Sequence, residues 1–488
     1  MAPTSHHPSS PRGRLAALVL SVALAQAAPA AAQPVTLGGE LLANTYYTAA
    51  QQRPTVAAAA DGSFVVVWES LAQDGDNYGV FGQRFDSAGE AAGTEFLVNT
   101  YTPLRQGAAS VDTDTKGGFV VVWESDGQDG NYFGIFGQRF GSDGLPAGTE
   151  FQLNNNFIGA QRDPTVATFS DGGFVAAWQS DGQDGQGAGV FARRFLSTGL
   201  PADLEFAVNT FTTAGQYLPR LDVGADDGFV VVWASDDGRD GDGYGVFGQR
   251  FDSAGATVGT EFAVNTFTTG AQRVPDVATI DDGFVVVWQS YAVDMYGEGI
   301  AARRYDGDGE PLAAEFVVNT YAIDNQRYPR VDADSLAGFV VAWETDGLDG
   351  ELEGIILQQF DSLGGTTGPE SVVNTKVTGS QRRPAISAAG GEFVVAWEGT
   401  GEQESSYDAF GQRYFDVAPT CGDAIPLPPG LVTAVDALAV LQTSIAIREC
   451  LLCVCDVDDS GVIVATDALQ VMRFAVSQPV VLTCPQFC

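Results

Sequence analysis

Tryptophan occurs at Trp68, Trp123, Trp178, Trp233, Trp288, Trp343 and Trp397 and nowhere else, with successive gaps of 55 residues five times and then 54. Each Trp closes much the same phrase, Phe64-Val-Val-Val-Trp68 in the first copy, with Ala replacing Val in some others. A fixed period of this length marks one supersecondary unit copied and stacked, since a single unit cannot cover its own apolar faces. The unit from Gln52 to Thr100 contains four strand-like runs: Pro54 to Ala60, Phe64 to Glu69, Tyr78 to Phe85 and Thr94 to Asn99. Asp61-Gly62 and Ser87-Ala-Gly89 turns separate them, which predicts an antiparallel meander.

Alternate residues of a strand point to opposite faces, so Phe64, Val66 and Trp68 line one face and Val65 and Val67 the other. Both faces are apolar and both need a cover. Small four-stranded sheets obtain it by packing face to face around an axis, as in a β-propeller. The small residues of Val56 to Ala60 place that run innermost. The last copy stops at Asp416 without a fourth strand, and the missing strand stands at the other end, where Gly39-Glu-Leu-Leu-Ala-Asn44-Thr45 matches Thr94 to Thr100. This permuted phase predicts a closed ring of seven blades over residues 38–416, an all-β fold.

Outside the repeats, Arg12 and Arg14 precede an apolar run from Leu15 to Ala25, and small residues follow to Ala32. The pattern predicts a secretory signal over residues 1–32, with cleavage before Gln33 and a secreted or cell-surface location. No other stretch has the length to span a bilayer. The formal net charge of −38 argues against nucleic acid as a partner, because phosphates would be repelled. The only histidines, His6 and His7, fall in the signal. Beyond it, Ser-His-Asp and Cys-His catalysis and histidine-ligated metal are excluded, leaving carboxylate chemistry.

The repeats resemble a bacterial family of tandem repeats found in large exported proteins, on the strength of Gly118-Phe-Val-Val-Val-Trp-Glu-Ser-Asp-Gly-Gln-Asp-Gly130 and Gly134-Ile-Phe-Gly-Gln-Arg-Phe140. That resemblance implies no defined activity. Asp-Gly loops follow the Trp strands, as in Asp126-Gly-Gln-Asp129, Asp181-Gly-Gln-Asp184 and Asp346-Gly-Leu-Asp349, and share a predicted face with Tyr46, Tyr101, Phe211, Phe267 and Tyr321. Carboxylates and rings together suit calcium and sugar, although Asp-Gly is also ordinary turn chemistry. Gln-Arg pairs such as Gln83-Arg84 and Gln326-Arg327 read as inter-blade ties through carboxylates such as Glu69 or Glu95, or as clasps for acidic sugars.

Beyond Thr420 the sequence turns helix-like, and six cysteines, Cys421, Cys450, Cys453, Cys455, Cys484 and Cys488, all fall there. In an exported chain they predict disulfides, with a zinc site at Cys450-x-x-Cys453 as the competing use. Asp456, Asp458, Ser460, Val462, Val464 and Asp467, with Gly461 at the sharp turn, match an EF-hand-type Ca²⁺ loop, with Val462 giving its carbonyl and Val464 acting through water. Residues 421–488 resemble a dockerin, a small α-helical module of duplicated calcium loops that implies a cohesin-like partner. The first copy, Gly430 to Leu441, departs from the pattern, because Ile425, Leu427 and Pro429 stand where ligands belong.

Near-equivalent blades favour repeated binding over a single reaction centre. The expectation is therefore a non-enzymatic exported binding or scaffold protein whose propeller presents a face to carbohydrate or to a surface protein. The alternative is a polysaccharide-active enzyme using propeller carboxylates such as Glu124, Glu344 and Glu398. An acid and its partner carboxylate would then have to stand at a defined separation.

Overall fold

A computed structural model describes residues 34–280, 283–294, 296–333, 338–348, 352–401 and 406–415. The signal segment, the cysteines and the Ca²⁺-loop residues Asp456, Asp458, Ser460, Val462, Val464 and Asp467 lie outside the described residues. What is described forms seven four-stranded antiparallel sheets in a closed ring.

The first complete blade runs outward through Gln51–Ala58, Phe64–Leu71, Tyr78–Phe85 and Phe96–Leu97. Its outermost strand is shorter than the predicted run from Thr94 to Asn99. After Val98 N–H bonds Val80 carbonyl at 2.8 Å, the Asn99 side chain takes over and accepts from Val80 N–H at 2.7 Å. The amide side chain thus ends the ladder and turns the chain toward the next blade. The same device stands at Asn44, Asn154, Asn209, Asn265, Asn319 and Asn374.

Packing follows the alternation in Phe64-Val-Val-Val-Trp68. Val65 and Val67 pack with Val121 and Trp123 of the next blade, while Phe64, Val66 and Trp68 pack with Val394 and Ala396 of the preceding one. The core is therefore a set of layers between blades, and all seven Trp side chains are fully buried in it. Each buried Trp or Phe contributes about 2–3 kcal/mol of transfer free energy.

The ring closes as the permuted phase predicts. Thr36–Leu42 pairs with Tyr407–Phe415, bringing Leu42 opposite Phe410. A carboxylate clasp repeats at each blade boundary: Glu95 accepts from Thr45 N–H at 2.6 Å, and Glu40 accepts from Thr375 N–H at 2.8 Å across the closure. Removing residues 33–44 would leave the last sheet with an unpaired edge, a template for association with other chains. The truncated protein is expected to elute as aggregate in size-exclusion chromatography and to lose its cooperative melting transition. A monomer with the parent melting temperature would show the closing strand to be dispensable.

The third-strand arginines tie blades together by a route other than the expected one. Arg84 donates to the carbonyls of Ser142 and Asp143 in the next blade's turn, and Arg413 donates to Ser87 carbonyl across the closure. Backbone carbonyls of a tight turn, more than Glu69 or Glu95, receive them. Those two glutamates serve the opposite face of the ring.

Candidate functional site at the propeller mouth

Every innermost strand begins with a buried Gln and then bulges. Gln52 pairs with Glu69 and Thr55 with Val67, so Arg53 and Pro54 together oppose Trp68. A bulge re-aims side chains, and Pro suits the second position because it has no N–H to leave stranded. The first bulge residue is Arg53, Ala108, Asp163, Leu218, Val274, Tyr328 or Arg383 according to the blade, with φ between +48° and +53°. All seven line one axial channel of about 680 Å³.

Non-glycine residues need support in that left-handed region. It comes from the residue after the Trp of the preceding blade, whose side-chain oxygen accepts the bulge N–H. Glu398 holds Arg53 at 2.8 Å, Glu69 holds Ala108 at 2.7 Å and Glu344 holds Arg383 at 3.2 Å. Glu124 does the same for Asp163, Gln179 for Leu218 and Gln289 for Tyr328. The seventh place carries Ala234, which has no acceptor to offer Val274. Ala234→Gln is expected to stabilise the propeller by about 1 kcal/mol, the usual net value of one such hydrogen bond. A melting temperature unchanged or lowered would count against the capping role.

The blades are not equivalent at the mouth. A side cavity of about 430 Å³ opens between the last two blades and the first, lined by Arg53, Arg327, Tyr328, Glu344, Glu353, Arg382, Arg383, Glu398 and Tyr407. The third strand begins there with Glu353, and in the blade before with Glu298, where other blades have Tyr78, Phe133, Ala188, Tyr244 or Tyr407. Arg327 reaches Glu298 at 2.9 Å, Asp346 at 3.3 Å and Glu344 at 3.9 Å. Arg382 reaches Glu353 at 2.9 Å.

Two of these carboxylates are driven apart in acidity. Burial pushes the Glu344 carboxyl up to about 7, the charge of Glu353 adds to the rise, and the Arg383 N–H and the Arg327 charge oppose it. Burial works on Glu353 as well, but hydrogen bonding from Ser380 and Arg382 and the Arg382 charge outweigh it and hold its carboxyl below the usual range. At neutral pH one carboxyl therefore retains its proton over much of the population while its neighbour is ionised. Such a split is the signature of paired acid and base roles. Glu398, which lines the same cavity, and Glu124 are also raised by burial, but of the three it is Glu344 that the Glu353 charge raises.

Deeper in the channel Asp276 stands between Arg220, 3.9 Å away, and Arg330, and below them lie Asp112, Asp222 and Asp332. Asp112 is pushed up to about 6 by burial, and Asp332 is held well above the usual carboxylate range by burial and by the charges of Asp222 and Asp112. Their outer oxygens accept from the next inner strands, at Thr168, Thr279 and Ala388.

The Asp-Gly loops stand on the same face as the mouth, and their carboxylates cap turns. Asp129 accepts from Asn131 N–H at 3.0 Å; Asp240 accepts from Asp242 N–H at 3.3 Å and from Asn265 at 3.0 Å. Among the described residues no group of three or more His, Cys, Asp or Glu is placed to hold a metal ion. Of the predicted aromatics, Phe211 is exposed and Tyr46, Tyr101, Phe267 and Tyr321 are half-buried; Tyr132, Phe157, Tyr291 and Tyr296 project further. Glu353, Glu298, Tyr328, Arg53 and Arg383 were not picked out from the sequence. The signal was present: stacking the copies at the 55-residue period isolates the columns in which they stand.

No protein-family model matches the chain, and no curated protein matches it. Solved structures do. A Dyadobacter fermentans protein of unknown function matches with a TM-score of 0.48 at 11% identity, covering 79% of this chain and 99% of that one. A Penicillium chrysogenum alpha-L-arabinanase complexed with arabinobiose gives 0.46 at 14%, covering 64% and 94%. A polysaccharide lyase gives 0.46 at 10%, covering 78% and 100%. Likeness at such identities concerns the fold alone.

The expectation of a non-enzymatic binding or scaffold protein is corrected. Its premise of equivalent blades fails at the mouth, where Glu344 and Glu353 form a pair that no other described blade repeats. Among the described residues no helix is long and apolar enough to cross a membrane.

Proposed function

We propose that the protein is a polysaccharide-active enzyme with its reaction centre in the side cavity of the propeller mouth. The observation that carries this reading is the split pair, Glu344 raised to about 7 and Glu353 lowered, in one cavity. Glu344 delivers its proton to the leaving glycosidic oxygen as the C–O bond breaks. Ionised Glu353 faces the positive charge that develops on the sugar ring and assists the entry of water, which restores the proton. Arg382 keeps Glu353 ionised, and Arg327 braces Glu298, Asp346 and Glu344. Tyr132, Phe157, Tyr291 and Tyr296, exposed on the same face, supply rings on which sugar faces stack, as long glycan chains require. An export signal over residues 1–32 would deliver the enzyme to extracellular polysaccharide. The test is reducing-end release from a panel of plant, algal and bacterial polysaccharides by the full chain and by Glu344→Gln. Release by the parent and not by the variant supports the proposal; equal release by both, or none from any substrate, refutes it.

A further inference from the structure

We infer that the sugar bound at the mouth is anionic, carrying a carboxylate or sulfate ester that Arg53 and Arg383 receive. This rests on the proposed polysaccharide-active reading and adds the substrate class. The chain has a formal net charge of −38, and its Lys and Arg total 24. Yet Arg53, Arg220, Arg273, Arg327, Arg330 and Arg383 all line the axial channel, and Arg382 joins Arg53, Arg327 and Arg383 around the side cavity. Six carboxylates line the axial channel as well, but around the side cavity the four arginines outnumber Glu344, Glu353 and Glu398.

Charge balance within the molecule explains only part of it. Arg327 and Arg382 are engaged by Glu298 and Glu353 at 2.9 Å. Arg220 and Arg330 share Asp276. Arg53 and Arg383 differ: their nearest carboxylate contacts are 3.7 Å to Glu69 and 3.6 Å to Glu398, and neither guanidinium donates a hydrogen bond to a described residue. Both side chains keep more than a third of their surface exposed, 39% and 38%. Arg273 pairs with no carboxylate among the described residues and lies over the Tyr244 ring at 5.1 Å.

Geometry makes these guanidiniums available. Arg53 and Arg383 are bulge residues, held by their own N–H groups on Glu398 and Glu344, so the backbone is fixed while the guanidinium, at Arg383 lying over the Tyr328 ring at 5.6 Å, keeps only loose carboxylate contacts. A planar guanidinium with several unused N–H donors matches a carboxylate or sulfate bidentately. Burial raises both glutamates that hold the bulges, and Glu344, pushed up to about 7, carries less opposing charge near neutrality. An acidic sugar drawn to Arg53 and Arg383 sits across the cavity that contains Glu344 and Glu353.

Isothermal titration with the full chain tests this, using a galacturonate tetramer, its fully methyl-esterified form and a sulfated, carboxylate-free tetramer of a neutral sugar. The acid tetramer is expected to bind at least tenfold more tightly than the ester, with affinity falling as salt is raised. Preference for the acid tetramer identifies carboxylate as the group received, and preference for the sulfated one identifies sulfate. Equal affinity for acid, sulfated and esterified forms, or no binding by either anion, overturns the inference. Arg53→Gln with Arg383→Gln should abolish the discrimination at an unchanged melting temperature, and the acid-to-ester comparison stands even if that variant does not fold. Anion binding without cleavage by the parent chain would leave this inference in place and refute the catalytic reading. Cleavage of neutral glycans alone would do the reverse.

Discussion

Glu344→Gln is expected to lower kcat/KM on the cleaved polysaccharide by about 10²–10⁴-fold, the usual contribution of a positioned proton donor, while leaving the melting temperature at pH 5, where Glu344 is itself protonated, near that of the parent. The repeat itself supplies the control. Gln179 and Gln289 occupy the same place in other blades and accept the bulge N–H of Leu218 and Tyr328 as Glu344 accepts that of Arg383. Gln at 344 therefore preserves the structural bond and removes only the transferable proton. Glu353→Gln should cost a comparable factor for a different reason, loss of the ionised partner. In the parent, activity should decline on the alkaline side near pH 7, where Glu344 loses its proton. The acid limb should lie below the ordinary glutamate range, because Glu353 is held low. A rate indifferent to Glu344→Gln, or an alkaline limb two units away, would remove Glu344 from the reaction.

The second large effect concerns folding. Asp112, Glu124, Asp222, Asp276, Asp332, Glu344 and Glu398 are all raised by burial, against Asp61 and Glu353 lowered. A raised carboxyl binds its proton more tightly in the folded chain than in the unfolded one. Its contribution is then complete below the unfolded value, 4.5 for Glu344, and is lost as pH rises through the folded one, about 7. Asp112 follows the same course from 3.8 to about 6. Each shift of this size corresponds to on the order of a few kcal/mol. The propeller is therefore expected to melt higher at pH 5 than at pH 8, against the common pattern in which paired carboxylates lose stability in acid. Calorimetry across that range decides it. In Glu344→Gln the difference should narrow, and a parent that melts higher at pH 8 would show these groups to be ionised without cost.

The ring was readable because the tryptophan phrase carries both faces of a strand in five residues and recurs at a near-constant period, and because the strand missing after Asp416 stands at Gly39 to Thr45. The capping roles of Asn99 and its equivalents were less legible: an Asn before Thr and an aromatic reads equally as a polar loop. The bulge was not legible at all. Nothing in Gln-Arg-x-Pro announces a left-handed residue, since the support comes from a glutamate of the preceding blade, about 40 positions earlier in the chain and set by tertiary packing. The same holds for the site. Glu344 follows Trp343 just as Glu124 and Glu398 follow their own Trp, and what sets it apart, the pairing with Glu353, depends on two columns brought together by the sheet.

The bulge rim also separates what may change from what must stay. Each rim residue is secured by its own main chain and a neighbour's side chain, so its identity contributes little to holding the ring. Arg, Ala, Asp, Leu, Val and Tyr all occupy it with φ within a few degrees of one another. A newly duplicated array of identical blades begins with a symmetric mouth that favours no substrate. Single substitutions around the rim then write a recognition pattern, one position at a time, on a scaffold that does not register them. The mouth can thus exchange one ligand for another by drift at seven places while every layer of the core remains under unchanged constraint.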